Sequence, residues 1–337
     1  MSDEKEREQA FKRERDAVEA WKTGPVTGKE ISTWADSAMF EAEPLGYDVN
    51  KDGPRVHLLQ MSPDPLGGIA AMAMMYEGKV IRDLSQVTDD QRRHYFEQIK
   101  KTHLKAPFEA VNLHFMIDGV TRSFTHQMVR QRTAVFAQES LRFAVKDSID
   151  EEVALPPSLR SLKDDDPQVV LWRSAVNRID DTYHALVDSG VPAEDARGLL
   201  PHNITTRLNY VTNLRNLQDH AGMRLCTQAQ FEWRIVWIRM IEAIRNYDRS
   251  ASSGWQFSLL ADLFRPVCYL TGKCEFNASF DRACSIRDRV EGNHHFGRAS
   301  HEWDTDLVEP GGDPGDPTIL VGAIHPVEWL ADPAAAR

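Results

Sequence analysis

The run from Thr121 to Phe143, TRSFTHQMVRQRTAVFAQESLRF, spaces Gln127, Arg130, Arg132, Ser140 and Arg142 by short apolar stretches. Two arginines separated by one uncharged residue are followed, after a seven-residue gap, by a serine and a further arginine. Guanidinium forks grip phosphate oxygens bidentately, and a serine hydroxyl adds a short donor. The chemistry such a set serves is recognition of a phosphate joined to a planar anionic ring, which describes a nucleotide.

These residues must be positioned by elements around them. Thr121 is expected to begin a helix with Gln127 and Arg130 on one side, three residues apart. Upstream, Val111, Leu113, Phe115 and Ile117 alternate with polar residues as a strand does, and Asp118-Gly119 is read as a turn. Thr88 ahead of Asp89-Asp90 predicts a capped helix to about Leu104, and Gly67 to Tyr76 is a strand or a buried helix start. Downstream, Pro192 opens a short helix that stops at Pro201. Helices are expected over Ile204–Leu217 and Thr227–Ile244, with Leu208, Val211, Leu214, Ile235, Ile238 and Ile241 facing the core. The acidic, proline-broken stretch from Lys146 to Pro167 reads as an insertion or lid outside the core.

Arg130-Gln131-Arg132, seven residues and Ser140 resemble the signature of flavin-dependent thymidylate synthases, Arg-His-Arg, seven residues, Ser. Pro107-Phe108-Glu109 and the strand after it resemble that family's preceding segment. Arg197, Pro201, Asn213, Arg215, Arg224 and Gln230 fall in its register without a gap. The resemblance covers roughly 65–145 and 190–250. It implies an α+β fold, a mixed or antiparallel sheet flanked by long helices. It implies 1–66 as an amino-terminal arm, 67–250 as the catalytic domain with 146–190 inserted, and 251–337 as an extension.

The same resemblance implies reductive methylation of dUMP to dTMP, with FAD as cofactor, NADPH as reductant and methylenetetrahydrofolate as carbon donor. It assigns Gln127, Arg130, Ser140, Arg142 and Arg197 to dUMP and sets Arg224 against the base, with Arg224 and Ser140 as the catalytic pair. It assigns Glu109, Arg130, Gln131, Arg132, Asn213, Arg215 and Asp219 to FAD, and implies a homotetramer with sites between subunits. The residue chemistry agrees on its own terms, because a guanidinium beside the uracil carbonyls stabilises charge that develops in the ring. No GxGxxG follows a strand, so arginines rather than a glycine-rich cradle must meet the pyrophosphate.

Four departures from the pattern stand out: Gln131 for histidine, Ala110 after Glu109 for histidine, Ala137 for asparagine and Phe143 for tyrosine. Glutamine donates and accepts hydrogen bonds but neither titrates nor stacks as imidazole does. Two alternatives therefore stand beside the methylase. One is a pyrimidine-nucleotide hydroxymethylase; the other is a nucleotide-binding homologue without catalysis. Uridylate and deoxycytidylate remain open as substrates.

Composition bounds the rest. The 337 residues are 42% hydrophobic, enough for a sizeable core, and no apolar stretch is long enough to span a membrane. A charged amino terminus, MSDEKEREQAFKRERD, argues for a cytoplasmic protein. The net charge of −11 disfavours direct nucleic-acid binding. Four cysteines without a CxxC pair fit a reducing compartment, and Cys226, two residues past Arg224, reads as packing. Cys268, Cys274 and Cys284, ahead of His294 and His295, are weak zinc candidates whose gaps match no common zinc knuckle, and buried thiols are the leading reading. Residues 1–22 read as a charged surface helix, 23–66 as mostly irregular, and ILVGAIHPVEWL as an edge strand or docking tail.

Overall fold

A computed structural model describes residues 40–41, 44–160, 162–226, 229–247 and 254–267. The amino-terminal helix, the cysteines from Cys268 onward and the ILVGAIHPVEWL segment lie outside the described residues. In chain order the elements begin with β1 (Phe40–Glu41), α1 (Val49–Asp52), β2 (Arg55–Met61), α2 (Pro65–Met75) and α3 (Asp89–Lys101). Next come β3 (Asn112–Thr121), α4 (Arg122–Met128), β4 (Val135–Gln138), β5 (Ala144–Val145), α5 (Ile149–Glu152), α6 (Pro157–Arg160) and α7 (Pro167–Asp188). The series ends with α8 (Ala193–Ala196), β6 (Thr205–Asn213), α9 (Leu214–Arg224), α10 (Phe231–Asn246) and α11 (Gly254–Ala261). Helices and an antiparallel sheet share the chain, as the α+β reading expects.

The described residues form two compact units. The smaller draws on 140–148 and 179–200 together with β1, which pairs in parallel with β5 through Phe40 opposite Ala144. The larger holds 45–139, 149–178 and 201 onward. Its antiparallel sheet has the order β2-β3-β6-β4, with Phe115 opposite Tyr210 and Tyr210 opposite Phe136. Leu113, Phe115, Ile117, Leu208 and Tyr210 are buried and join one core with Trp233, Val236, Trp237 and Met240 of α10. At about 25 cal/mol per Å² of apolar area this layer is the principal source of stability.

Local signals explain several boundaries. Thr88 caps α3 and forms a capping box with Gln91, which ends the search for the first N–H partners. The helix stops at Lys101, short of Leu104. Asp64 caps α2, accepting from the Gly67 N–H at 3.0 Å, and Arg92 of α3 donates to the same carboxylate at 2.6 Å. Burial would raise the Asp64 pKa, but these bonds hold it below the usual range.

Several sequence expectations are corrected. Residues 204–217 are not one helix: β6 takes 205–213, where buried Leu208, Tyr210 and Thr212 alternate with half-exposed neighbours, and only then does α9 begin. The Leu208, Val211, Leu214 spacing imitates a helical stripe because Leu214 belongs to the next element, and Val211 lies on the other face of the sheet. Residues 55–61 form β2 where irregular chain was expected. Asp118-Gly119 is a bulge rather than a turn, since β3 shifts register between Ile117 and Val120 and runs on to Thr121. α10 starts at Phe231 and turns Trp233, Val236, Trp237, Met240 and Ile244 inward, leaving Ile235 and Ile238 partly exposed. In the stretch read as a lid, Ile149, Val153 and Ala154 are buried, Val153 bridges to Ile204, and the Leu155 N–H donates to Asn50 Oδ1 at 2.6 Å.

Candidate active site

Strand β3 delivers the chain to α4 through Thr121. Its hydroxyl oxygen accepts the Phe124 N–H at 3.1 Å, capping α4. Its own N–H and O–H donate to the two carboxylate oxygens of Glu232, each at 2.6 Å. The start of α4 is thereby fastened to the first turn of α10. Burial pushes the Glu232 carboxyl up, while the two Thr121 bonds and the Arg160 charge oppose it. The preceding bulge needs Gly119 at φ 71°, and a Cβ there would stand 2.2 Å from the Tyr47 hydroxyl oxygen.

Gln127 lies on α4, and Arg130 follows in the turn after the helix ends at Met128 rather than on the helix as expected. The Trp233 indole N–H donates to Gln127 Oε1 at 3.0 Å, and Gln127 Nε2 donates to Gln230 Oε1. The Arg224 guanidinium sits 4.6 Å from the centre of the same Trp233 ring. Arg224 Nε donates to His220 Nε2 at 3.3 Å, so His220 carries its proton on Nδ1. His220 is buried edge-on to Trp233, and burial first, then the Arg224 charge, lowers its pKa to about 4. Burial also lowers the Arg224 pKa without neutralising it.

The flavin-assigned residues gather where the loop after α4 meets β6 and α9. The Tyr210 hydroxyl, buried in the sheet and raised by burial to about 12, donates to Gln131 Oε1 at 2.8 Å. Phe136 stacks on the Tyr210 ring at 5.3 Å. Asn213 caps α9 by accepting the Asn216 N–H, and Asn216 Nδ2 donates to Thr133 O at 3.2 Å, tying the loop to the helix. Glu109 and Arg215 form an ion pair. Arg130 Nε donates to His126 O at 3.3 Å. Arg132 is exposed, with no ion pair or hydrogen bond among the described residues, and Asp219 is exposed.

The remaining predicted residues belong to the smaller unit. Ser140 Oγ accepts the Arg142 N–H at 3.3 Å. Arg142 pairs with the Glu194 carboxylate at 2.9 Å, and Arg197 Nε donates to Glu194 O at 3.0 Å. Glu194 thus brings Arg142 and Arg197 together. Their exposed pair is worth little to stability, so a dianionic ligand can displace the carboxylate at small cost.

A cavity of about 400 Å³ in the larger unit is lined by Thr121, Arg160, Trp172, Asn203, Gln230 and Glu232 among others, and by none of the sequence-predicted site residues. Cys226 is half-buried, and no cluster of three His, Cys, Asp or Glu suited to a metal occurs among the described residues. No helix among them is long and apolar enough to cross a membrane. Sequence reasoning missed His220 and Trp233 as the partners that hold Gln127 and Arg224. The four-residue spacing of His220 and Arg224 was the available signal for the first; Trp233 is found only through tertiary contact.

Among known proteins, the chain is 32% identical over 195 residues to the flavin-dependent thymidylate synthase of Geobacter sulfurreducens, covering 57% of this chain and 82% of that one. It is 29% identical over 194 residues to the flavin-dependent thymidylate synthase of Pyrococcus abyssi, 56% of this chain and 78% of that one. A solved UMP/dUMP methylase from Streptomyces cacaoi, bound with 5-Br dUMP, aligns with a TM-score of 0.47 and 22% identity over 56% of this chain and 89% of that chain. The model of the family described as thymidylate synthase complementing protein matches residues 57–247, more than half of the chain, and the protein belongs to that family.

Proposed function

We propose that the chain is a flavin-dependent thymidylate synthase, converting dUMP to dTMP with methylenetetrahydrofolate as carbon donor and NADPH as reductant. The observation that carries this reading is the register of Gln127 on α4, Arg130 and Arg132 in the loop after it, and Asn213, Arg215 and Arg224 on β6–α9, within the span that the family model matches. FAD fits the donors present. Arg130 and Arg132 meet no carboxylate among the described residues, leaving two guanidinium charges for a pyrophosphate. Glu109, Gln131, Asn213, Arg215 and Asp219 complete that assignment. When bound, the flavin, reduced by NADPH, supplies the hydride that completes the methyl group.

The chain's own residues hold and polarise the nucleotide. Gln127, Arg130, Ser140, Arg142 and Arg197 bind phosphate and sugar. Arg224 faces the base, where its charge stabilises negative charge on the uracil carbonyl oxygens as carbon 5 becomes nucleophilic. Ser140 orients the nucleotide by its hydroxyl. The assembly is a homotetramer with sites between subunits, in the cytoplasm.

Mass spectrometry of the nucleotide after incubation with dUMP, methylenetetrahydrofolate, FAD and NADPH tests this. Thymidylate is expected. A 5-hydroxymethyl product would turn the assignment to the hydroxymethylase, and dUMP bound but unchanged would refute catalysis on it.

A further inference from the structure

Two residues assigned to opposite ends of the substrate meet on one side chain. Gln127 is assigned to phosphate and sugar, Arg224 to the base, and both touch Trp233: the first at its N–H, the second at its face. We propose that Trp233, backed by His220 and Gln230, is a positioning residue that sets the orientation of both groups for the nucleotide. The inference rests on the thymidylate synthase reading and adds to it residues that the reading does not use.

An indole offers a hydrogen-bond donor at its edge and a π-face on its ring. Its N–H is a donor only, so the Gln127 atom it meets must be the amide oxygen. That choice fixes which end of the amide is nitrogen, and Gln127 Nε2 donates in turn to Gln230 Oε1. One N–H and one carbonyl lone pair of Gln127 are then left for a ligand. A glutamine free to flip would offer either polarity; this one is locked.

Arg224 is held by a parallel device. Its Nε is engaged by the lone pair of neutral His220, and its guanidinium carbon lies over the Trp233 ring. The two terminal nitrogens remain for the carbonyl oxygens of a base. His220 is itself wedged edge-on between Trp233, at 5.1 Å between ring centres, and Trp237, at 6.0 Å. Phe124 of α4 covers Trp233 at 4.3 Å, so the helix that carries Gln127 and the indole that orients it are packed as one body. Turning the indole would disturb both ligand groups together.

Steady-state kinetics and calorimetric dUMP binding on the FAD-loaded full chain separate the two arms. Trp233→Phe keeps an aromatic face for Arg224 but removes the N–H. It is expected to weaken dUMP binding and raise KM about five-fold, the loss of one neutral hydrogen bond, with kcat within about two-fold. Gln230→Leu, which removes no buried aromatic ring, is expected to shift KM the same way and serves if Trp233→Phe does not fold. His220→Leu is expected to lower kcat about ten-fold with KM little changed, and His220→Gln, whose amide oxygen can replace Nε2 as acceptor, to recover most of it. Wild-type protein that binds and turns over dUMP, with Trp233→Phe, Gln230→Leu and His220→Leu all unchanged, would overturn the inference and leave the enzyme reading standing. Equal losses in KM and kcat tracking a fall in Tm, unrescued by His220→Gln, would also overturn it. Wild-type protein that neither binds nor converts dUMP would overturn both.

Discussion

Gln127, Gln131 and Arg224 are each held by a partner inside the larger unit: Trp233, Tyr210 and His220. The side chains of Arg130 and Arg132 are looser: among the described residues Arg130 Nε donates to His126 O, and the Arg132 guanidinium has no hydrogen bond or ion pair. In the proposed roles, the first set consists of groups whose lone pairs and hydrogens must point one way, against a base or a flavin ring. The second consists of plain charges, for which a phosphate oxygen at any of several angles will serve. Ordering a long arginine side chain costs about 1.5–2 kcal/mol of rotamer entropy, so leaving it loose until an anion arrives avoids a standing cost in the folded state. Directional groups are preorganised, and point charges are not.

The contrast can be broken most forcefully at Arg224. Arg224→Ala is expected to lower kcat about 10²–10³-fold, as removal of a preorganised charge donor does, with the circular dichroism spectrum unchanged. Near wild-type turnover would dissolve the assignment. The anchor behind it should be visible in stability. His220 has its pKa lowered from 6.5 to about 4, so the unfolded chain binds the proton first as pH falls. Its contribution is present in full above pH 6.5 and is lost as pH drops towards about 4, on the order of 3 kcal/mol in all. Urea midpoints of wild type and His220→Phe across that window check this, and the variant's curve should be flatter there.

The loose side of the comparison should respond differently. Arg132→Ala is expected to weaken FAD binding about ten-fold, the worth of one charge-assisted contact, with no change in Tm because nothing in the folded unit depends on it. Tyr210→Phe sharpens the opposite case: Gln131 Oε1 loses its donor while the ring keeps its stacking on Phe136 and Phe115, and FAD affinity should fall about five-fold. Gln131→His should change FAD affinity by less than about two-fold, since an imidazole lone pair can accept from Tyr210 as the amide oxygen does. Fluorescence titration of the flavin measures all three.

The proposed anchors of the candidate site are legible in the sequence because they are chemistry at fixed spacing: Arg130, Arg132, Arg215 and Arg224 need no tertiary knowledge to be noticed. The alternation of Val111 to Ile117 likewise announced a buried strand. The element that carries Asn213 and sits beside Gln131 was misread, because Leu208, Val211 and Leu214 happen to repeat every three residues across a strand-helix junction. Only the neighbours Tyr210 and Thr212, facing the same side as Leu208, reveal the period of two. Trp233 reads as one apolar residue of an amphipathic helix, and its N–H acquires meaning only when α4 is packed on it. The acidic 146–167 stretch misled by composition, since Ile149 and Val153 are few in number yet sit at the sites that reach the core.

The bulge at Gly119 gives β3 two reading frames. Up to Ile117 the odd-numbered residues face inward; beyond it Val120 does, and Thr121 is free to clasp Glu232. Strict alternation from Ile117 onward, with no residue bulged out, would put Val120 on the opposite face, turn Thr121 away from Glu232, and leave α4 without its cap. The upstream strand would still pair, while Gln127 would be carried off its indole. The single extra residue works as a frameshift in space, separating the part of the strand that builds the sheet from the part that aims the site.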